Sequence, residues 1–453
     1  SLGYNCLMLS YDVATDYIQT FLNTEKSPNF SRDARLYNLD RIAQLLEKLD
    51  NPHQQFKIIH VAGSKGKGTT ATIIASILTQ VGYQTGLFTS PHFVTPRERC
   101  QIDAEMISEV DFVRCLTLIK PAIESVSAGP FGKISFFEIY TALAFFYFAD
   151  QKVDFAVVEV GLGGRLDATN IVDPVISVIT QISLEHTKIL GETLKEIAEE
   201  KAEIIKANRP VIIAPQPIQV QSVFEKTAVD RASSVYWVST EHIQQNSQSL
   251  NGQFFDFQSK NQLYTNLFVP LIGAHQLINV ALAICCAEKI IKETMASDFE
   301  RALVFEGVRK VSLIGRLQLI ERRARILIDS AHSPASFEAL WKTIQELFCY
   351  DRLIVVIGLM KDKDLQAIGK IVVSVADEII ATQVFDNPRV CRADEIVGTW
   401  SNLSPKPMRA ISSACQAIQV AQSTAYKSDL VCVAGSIYLA GEALKLLQKS
   451  NSF

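Results

Sequence analysis

In this 453-residue chain, the residues best suited to chemistry by type and spacing lie in Gly63-Ser64-Lys65-Gly66-Lys67-Gly68-Thr69-Thr70. Its glycines let a phosphate come close to bare backbone N–H groups. Lys67 offers a point charge to β- and γ-phosphates, and the Thr69 or Thr70 hydroxyl can reach a magnesium ion. That chemistry is the holding of a nucleoside triphosphate. The spacing is shorter than the common P-loop, and a glycine separates the lysine from the hydroxyl residue. Gly66-x-Gly68-x-x-Ala71 also fits a dinucleotide fingerprint. That fingerprint wants an acid about 20 residues further on, and no Asp or Glu occurs between Thr69 and Arg97. A bare Gly/Lys turn is the third reading, and it leaves the entropic cost of the glycines unexplained. The order of preference is triphosphate, dinucleotide, bare turn.

Other reactive types recur at the ends of apolar runs. Thr89-Ser90-Pro91-His92 follows one run, where Ser90 is either a turn former or a magnesium ligand through its hydroxyl. Glu159 closes the run Phe155–Val160. A buried acid there is costly unless it is paired or bound to a metal, and ligands collect at that edge of a parallel sheet. The glycine-rich stretch after it, with Arg165 and Asp167, reads as a ligand loop because no helix pattern opens there. His186, beside Glu185, reads as a metal or phosphate group against the alternative of a solvated loop histidine. Lys201 sits among Glu199, Glu200 and Glu203, which reads as a surface salt-bridge cluster. Ser135 and Glu138 fit a capping box; a flat ring stacking on Phe136 or Phe137 is the alternative, and the cap is slightly favoured. His275, Gln276 and Asn279 share a face at the start of a helix, and Asp329 and His332 follow a strand.

The elements that must position these groups follow from periodicity. Helices are expected over 11–21 and 39–49, with a polar loop between them at 23–35 able to cover a ligand. A strand over 56–61 precedes the phosphate loop, and a helix over 70–80 follows it, ended by Gly82. Further helices are expected over 108–125, 135–150, 193–206 and 273–292. Strands are expected at 84–89, 155–160, 174–180 and 211–214, and a small antiparallel patch within 240–266. The pattern loosens at 306–313, which suits a linker. Strands at 325–329, 353–358, 378–382 and 430–434 then alternate with helices near 335–348, 363–375, 409–422 and 436–448, giving a second parallel sheet. The fold class is α/β in two domains, 1–308 and 309–453.

Composition narrows the function classes. Apolar residues make up 48% and charged residues 20%, ordinary for a globular enzyme. The net charge of −4 gives no broad footprint for nucleic acid. Nine cysteines lie scattered with no C-x-x-C pair, which fits a reducing compartment rather than a zinc or disulfide framework. No secretory pattern opens the chain, and no apolar run reaches membrane-spanning length. The chain reads as cytoplasmic, with no membrane partner.

Taken together, these motifs resemble the folylpolyglutamate/dihydrofolate synthases of the Mur ligase superfamily. The anchors are His60 to Thr69, Thr89-Ser90-Pro91-His92, Glu159 to Asn170, Gly273-Ala274-His275-Gln276-x-x-Asn279, Gly315-Arg316-Leu317-Gln318 and Gly435-Ser436. The resemblance implies a P-loop ATPase-like parallel sheet of Mur-ligase central type and a smaller Rossmann-like C-terminal domain. It implies an ATP-dependent amide ligase, working with Mg²⁺, that joins L-glutamate to dihydropteroate or a reduced folate through an acyl phosphate; the sequence is silent on oligomeric state, and a monomer is the default. By this resemblance ATP is held by Gly63, Ser64, Lys65, Gly66, Lys67, Gly68, Thr69, Thr70, Asn279, Arg316 and Asp329. The metal falls to Ser90, Glu159 and His186, and catalysis to Lys67, His186, Lys201 and His332. The pterin falls to Phe136, Glu138, Arg165 and Asp167. Lys201 matches a lysine often carbamylated in the family, which reverses its surface reading, although Glu203 nearby would favour its unreactive protonated form. Two departures stand out: Ser64-Lys65 where the family has Thr-Asn, and Ser330 and Ser333 in the Asp-x-Ala-His-x-Pro motif. The alternatives are a Mur-type ligase with another carboxylate acceptor, or a nucleotide-binding homologue without ligase activity.

Overall fold

A computed structural model describes residues 10–23, 38–294, 300–384 and 387–449. The first sheet is built from Lys57–Ala62 (β1), Thr85–Phe88 (β2), Cys100–Ile102 (β3), Glu105–Met106 (β4), Phe155–Glu159 (β5), Ile176–Ile179 (β6), Val211–Ile213 (β7) and Val235–Trp237 (β8). The strand order is β4-β3-β2-β5-β1-β6-β7-β8. From β2 to β8 all neighbours run parallel, and β3 and β4 add an antiparallel edge. The central strands read as continuous apolar runs because helices cover both faces. β5 and β6 are buried along their whole length.

One face is covered by helices Tyr11–Gln19, Leu39–Glu47, Glu109–Ser127 and Phe136–Asp150. The other is covered by Lys67–Val81, His275–Thr294 and Arg301–Arg309. Helix Lys67–Val81 buries Ile73, Ile74, Ile77 and Leu78 and ends at Gly82, where φ is 107° and the N–H caps the Leu78 and Thr79 carbonyls. Gly307 allows helix Arg301–Arg309 to lie against it: a Cβ there would fall 2.5 Å from the Ile77 Cα.

The polar stretch expected to hold an antiparallel patch forms Ile243–Ser249 (β9), Gly252–Gln258 (β10) and Leu263–Val269 (β11). Phe255, Phe257, Tyr264 and Leu267 bury its inner face in the first core. Glu288 of helix His275–Thr294 anchors it, accepting from Ser259 Oγ (2.8 Å), Asn261 Nδ2 (3.0 Å) and Tyr264 Oη (2.8 Å).

The second sheet comprises Gln318–Glu321 (β12), Arg325–Ile328 (β13), Leu353–Ile357 (β14), Glu378–Gln383 (β15), Met408–Ser413 (β16) and Leu430–Ala434 (β17), in the order β12-β13-β17-β14-β15-β16. All neighbours are parallel except β12 and β13.

Some elements differ from the sequence expectation. The helix expected over 409–422 is the edge strand β16 followed by helix Ala414–Thr424, with Ser413 capping its start. The helix expected over 193–206 is the shorter Leu194–Ala202. The loosened stretch from 306 still holds the end of helix Arg301–Arg309, so the boundary expected at 308/309 falls in its last turn; Val311 still packs in the first core. The polar loop expected at 23–35 lies almost wholly outside the described residues. Among the described residues no helix is long and apolar enough to cross a membrane, and the eight cysteines there are free thiols.

Candidate active site

The phosphate loop joins β1 to helix Lys67–Val81, which starts at Lys67 rather than at residue 70. Lys67, Gly68 and Thr69 thus make up the first helical turn, whose N–H groups have no intrahelical acceptor and lie at the positive end of the helix. Gly63 and Gly66 adopt φ of 142° and 86°. A Cβ at Gly63 would fall 1.8 Å from Thr180 Oγ1, and one at Gly66 would fall 2.3 Å from Asn279 Oδ1. The loop is tied to the chain after β6: Ser64 N–H donates to the Gln181 carbonyl (2.9 Å) and Ser64 Oγ to the Ser183 carbonyl (3.0 Å). Asn279 is oriented in turn by donating to Gln276 Oε1 (2.8 Å). The Thr70 hydroxyl is buried without a partner.

Glu159 lies at the carboxyl end of β5, beside this loop. Gly68 leaves room for it, since a Cβ there would sit 3.3 Å from Glu159 Oε2. Burial raises the Glu159 carboxyl above the ordinary range, with Lys67 and the Ser90 N–H opposing. That N–H, at the exit of β2, donates to Oε2 at 2.9 Å. His186 follows β6 and holds φ of 47° at the start of the short helix Thr187–Leu190. The residue is exposed, yet desolvation by its surroundings lowers the imidazole to about 4 against the pull of Glu185. Lys67 is a common electrostatic neighbour of Glu159 and His186. Lys67, Ser90, Glu159 and His186 therefore gather at the carboxyl ends of β1, β2, β5 and β6. A hard divalent cation suits the donor types at this corner: Glu159 is a desolvated carboxylate, Ser90 carries a hydroxyl, and the His186 imidazole is neutral. No group of three or more His, Cys, Asp or Glu forms a metal cluster among the described residues, so much of such an ion's shell would come from water and phosphate.

Lys201 corrects its surface reading. Its side chain is 1% exposed, and Nζ donates to the Gly63 carbonyl (2.8 Å) and to Glu185 Oε1 (3.0 Å). The acids flanking it in sequence point elsewhere: Glu200 to Arg165 (2.9 Å), Glu203 to Arg231 (2.6 Å) and Glu199 towards Lys195 (4.0 Å). The carboxylate that favours the protonated amine is therefore not Glu203 but Glu185, and burial opposes it. Burial lowers the Lys201 amine to about 8. Burial alone would raise Glu185, but Lys201, Lys67 and Lys65 reverse this and hold it at about 2. In the sequence Glu185 reads only as an acid beside His186.

The loop after β5 turns around Asp167, whose Oδ2 accepts from Leu162 N–H (2.8 Å) and Oδ1 from Thr169 N–H (3.0 Å) and Oγ1 (2.5 Å). Thr169 spends its proton on Asp167, so His60 Nε2, 2.9 Å away, is the donor to Thr169 Oγ1. Burial keeps that imidazole neutral, at about 3. Sequence reasoning missed this use of His60; a histidine within an apolar strand was its only mark. Arg165 points outward to Glu200.

The stacking role considered for Phe136 is corrected. The residue is 2% exposed, and its ring is covered by the Arg99 guanidinium at 5.2 Å. Glu138 completes the capping box with Ser135 and pairs with buried Arg41 at 3.1 Å, so its carboxylate is already committed. Phe137 is the ring that borders the ligand loop: a Cβ on Gly161 would fall 2.5 Å from it.

The second lobe closes the site from the other side. Asp329 Oδ2 accepts from Leu317 N–H (2.9 Å) and Oδ1 from Ala331 N–H (2.7 Å), and burial raises its carboxyl. Arg316 Nη1 donates to Ser330 Oγ, and the guanidinium lies over the Phe93 ring at 6.0 Å. His332 Nδ1 lies 2.8 Å from the Ser330 carbonyl, and Nε2 lies 3.5 Å from Lys65 Nζ of the phosphate loop. Phe93, three residues beyond Ser90, sits in this lobe. A Cβ on Gly315 would fall 2.3 Å from its ring, and one on Gly441 would fall 2.1 Å from its carbonyl oxygen.

Family models match the same two units: a Mur ligase middle domain over 61–287 and a Mur ligase glutamate ligase domain over 315–437. The chain is 34% identical to a dihydrofolate synthase/folylpolyglutamate synthase of Bacillus subtilis, covering 90% of this chain and 95% of that one. The chain belongs to the dihydrofolate synthase/folylpolyglutamate synthase family. A Mycobacterium tuberculosis member of the family is 31% identical over 90% of each chain. The fold superposes on the M. tuberculosis folylpolyglutamate synthase complexed with ADP, with TM-score 0.87, 29% identity and coverage of 97% of this chain and 98% of that one. The Thermotoga maritima folylpolyglutamate synthase gives TM-score 0.82, 30% identity and 97% coverage of each. In family terms, the phosphate loop belongs to the middle domain, and Asp329 and His332 belong to the glutamate ligase domain.

Proposed function

We propose that this enzyme is an ATP-dependent ligase that forms an amide between a pterin-linked carboxylate and the amino group of L-glutamate, the acceptor being dihydropteroate, a reduced folate or both. The observation that carries the reading is the meeting of Lys67, Ser90, Glu159 and His186 around one phosphate loop, faced by Asp329 and His332. A carboxylate oxygen of the pterin substrate attacks the γ-phosphorus, and ADP departs with the bridging oxygen. The glutamate nitrogen, having lost its ammonium proton, then attacks the acyl carbon, and phosphate leaves.

Lys67 and the N–H groups of its helical turn offset the charge spread over the transferring phosphoryl group. Mg²⁺, held by Ser90, Glu159 and neutral His186, would add positive charge to the same oxygens. Asn279, Arg316 and Asp329 line the nucleoside side, and the pterin lies along the Asp167 loop towards Phe137 and Arg165. His332 faces the phosphates from the amino-acid lobe. Lys201, buried against Gly63 O with a depressed amine, is suited to carbamylation, which would turn it into an anion able to hold a second Mg²⁺. A single chain supplies all these groups, which supports a monomer, and the free thiols suit the reducing cytoplasm.

The test is to incubate the enzyme with ATP, Mg²⁺, L-glutamate and either dihydropteroate or tetrahydrofolate. ADP release with a product heavier by one glutamyl residue is expected, and mass spectrometry of the two products separates the acceptors. No ADP release with either acceptor would overturn the reading.

A further inference from the structure

The phosphate loop carries a second lysine, Lys65, two residues before Lys67. Its side chain crosses to the other lobe: Nζ lies 3.5 Å from His332 Nε2, 267 residues further along the chain. The neighbouring contact fixes which atom donates. His332 Nδ1 lies 2.8 Å from the Ser330 carbonyl, which can only accept. Nδ1 therefore carries the proton, Nε2 presents its lone pair, and Lys65 is the donor.

This is a weak hold for an ammonium group. A separation of 3.5 Å is at the outer limit of a hydrogen bond, and the neutral imidazole cancels none of the lysine charge. Lys67, Lys363 and Arg316 add like charge around Lys65, and Glu185 opposes them. Glu185 is itself engaged by Lys201 at 3.0 Å. A polyphosphate entering the cleft would offer charged oxygens, which make shorter and stronger contacts with an ammonium group than an imidazole does.

We propose that Lys65 is a catalytic residue that contacts the terminal phosphate of ATP, resting on His332 until the nucleotide arrives. Its departure uncovers the His332 Nε2 lone pair as an acceptor for the ammonium group of the incoming amino acid. Nucleotide binding in one lobe thereby opens a polar contact in the other. The inference rests on the ligase reading for the identity of the amino acid, but its phosphate contact does not.

The test compares binding of ADP and of the non-hydrolysable triphosphate AMPPCP, with Mg²⁺, to the wild-type enzyme and to Lys65→Met and Lys65→Asn. Losing a charge-assisted contact should weaken AMPPCP on the order of tenfold while leaving ADP nearly unchanged. Equal effects on both nucleotides, or none on either, would overturn the proposal. Lys65 is exposed, and Lys65→Asn keeps a polar side chain there, so it guards against a folding defect in Lys65→Met. A second readout is the ¹⁵N spectrum of His332, assigned with His332→Ala. AMPPCP should shift Nε2 in the wild type and not in Lys65→Met, with Nδ1 protonated throughout; an unchanged wild-type Nε2 would sink the hand-over. If the AMPPCP effect appears but no glutamate is ligated to either acceptor, the phosphate role stands and the ligase reading falls.

Discussion

Lys201 shows how far burial alone can change what a residue does. In water a lysine amine is protonated at neutral pH and inert towards carbon dioxide. Here desolvation lowers it to about 8, so its neutral, reactive fraction grows as pH rises from 7 to 9. With ¹³C-bicarbonate the enzyme should show a carbamate carbon resonance that strengthens across that range and is absent in Lys201→Met. A resonance that persists in the variant, or none at pH 9, would refute the modification. The Arg41–Glu138 pair is a different kind of buried charge, both side chains being about 5% exposed or less. Arg41→Ala strands Glu138 without its cation, beyond what the Ser135 N–H supplies. The cost should be about 3–5 kcal/mol of unfolding free energy in a denaturant titration; a loss below about 1 kcal/mol would show that the site rehydrates instead.

At the scale of elements, the site depends on close approaches that only glycine permits. Gly164 is one: a Cβ there would meet the Glu200 carbonyl oxygen at 2.6 Å and the Lys201 Cα at 3.0 Å, both backbone atoms that cannot swing aside. Gly164→Ala should push helix Leu194–Ala202 off the ligand loop and lower kcat by roughly tenfold or more, since small misplacements at the chemistry are costly. Wild-type kcat in this variant would show that the loop absorbs the shift. The same scale explains what the sequence could convey. β1, β5, β6 and helix Lys67–Val81 were legible because their apolar runs are long and end in glycine or a lone polar group. β16 was not: none of its residues is fully buried, so the edge strand lacks a buried face to set a period of two. Lys201 was misjudged because neighbours in sequence are not neighbours in space; Glu199, Glu200 and Glu203 turn away, and its true partner comes from the strand end 16 residues earlier. Phe136 was ambiguous because a capping box and a stacking site begin with the same letters.

At the scale of the whole molecule, the two lobes meet through the short segment after β2. Glu98 accepts from Phe93 N–H (2.7 Å), Val94 N–H (2.7 Å) and Thr95 N–H (2.8 Å), which stiffens it, and Phe93 packs against Gly315 and Gly441 of the second lobe. Gly441→Ala places a methyl group against the Phe93 carbonyl at a distance that cannot be kept. The lobes should separate, detected as a larger radius of gyration by small-angle X-ray scattering. Activity should fall, with each lobe's own unfolding transition nearly unchanged. An unaltered radius with full activity would mean that the contact is not what sets the lobe arrangement.

That same segment begins at Ser90, whose N–H is bonded to Glu159, and three residues later it is seated in the opposite lobe. A tilt of the second lobe therefore tugs on Ser90 and Glu159 through a short, stiff tether. The two lobes are thereby geared to each other: a movement that displaces Phe93 in one is felt at the carboxyl end of β5 in the other.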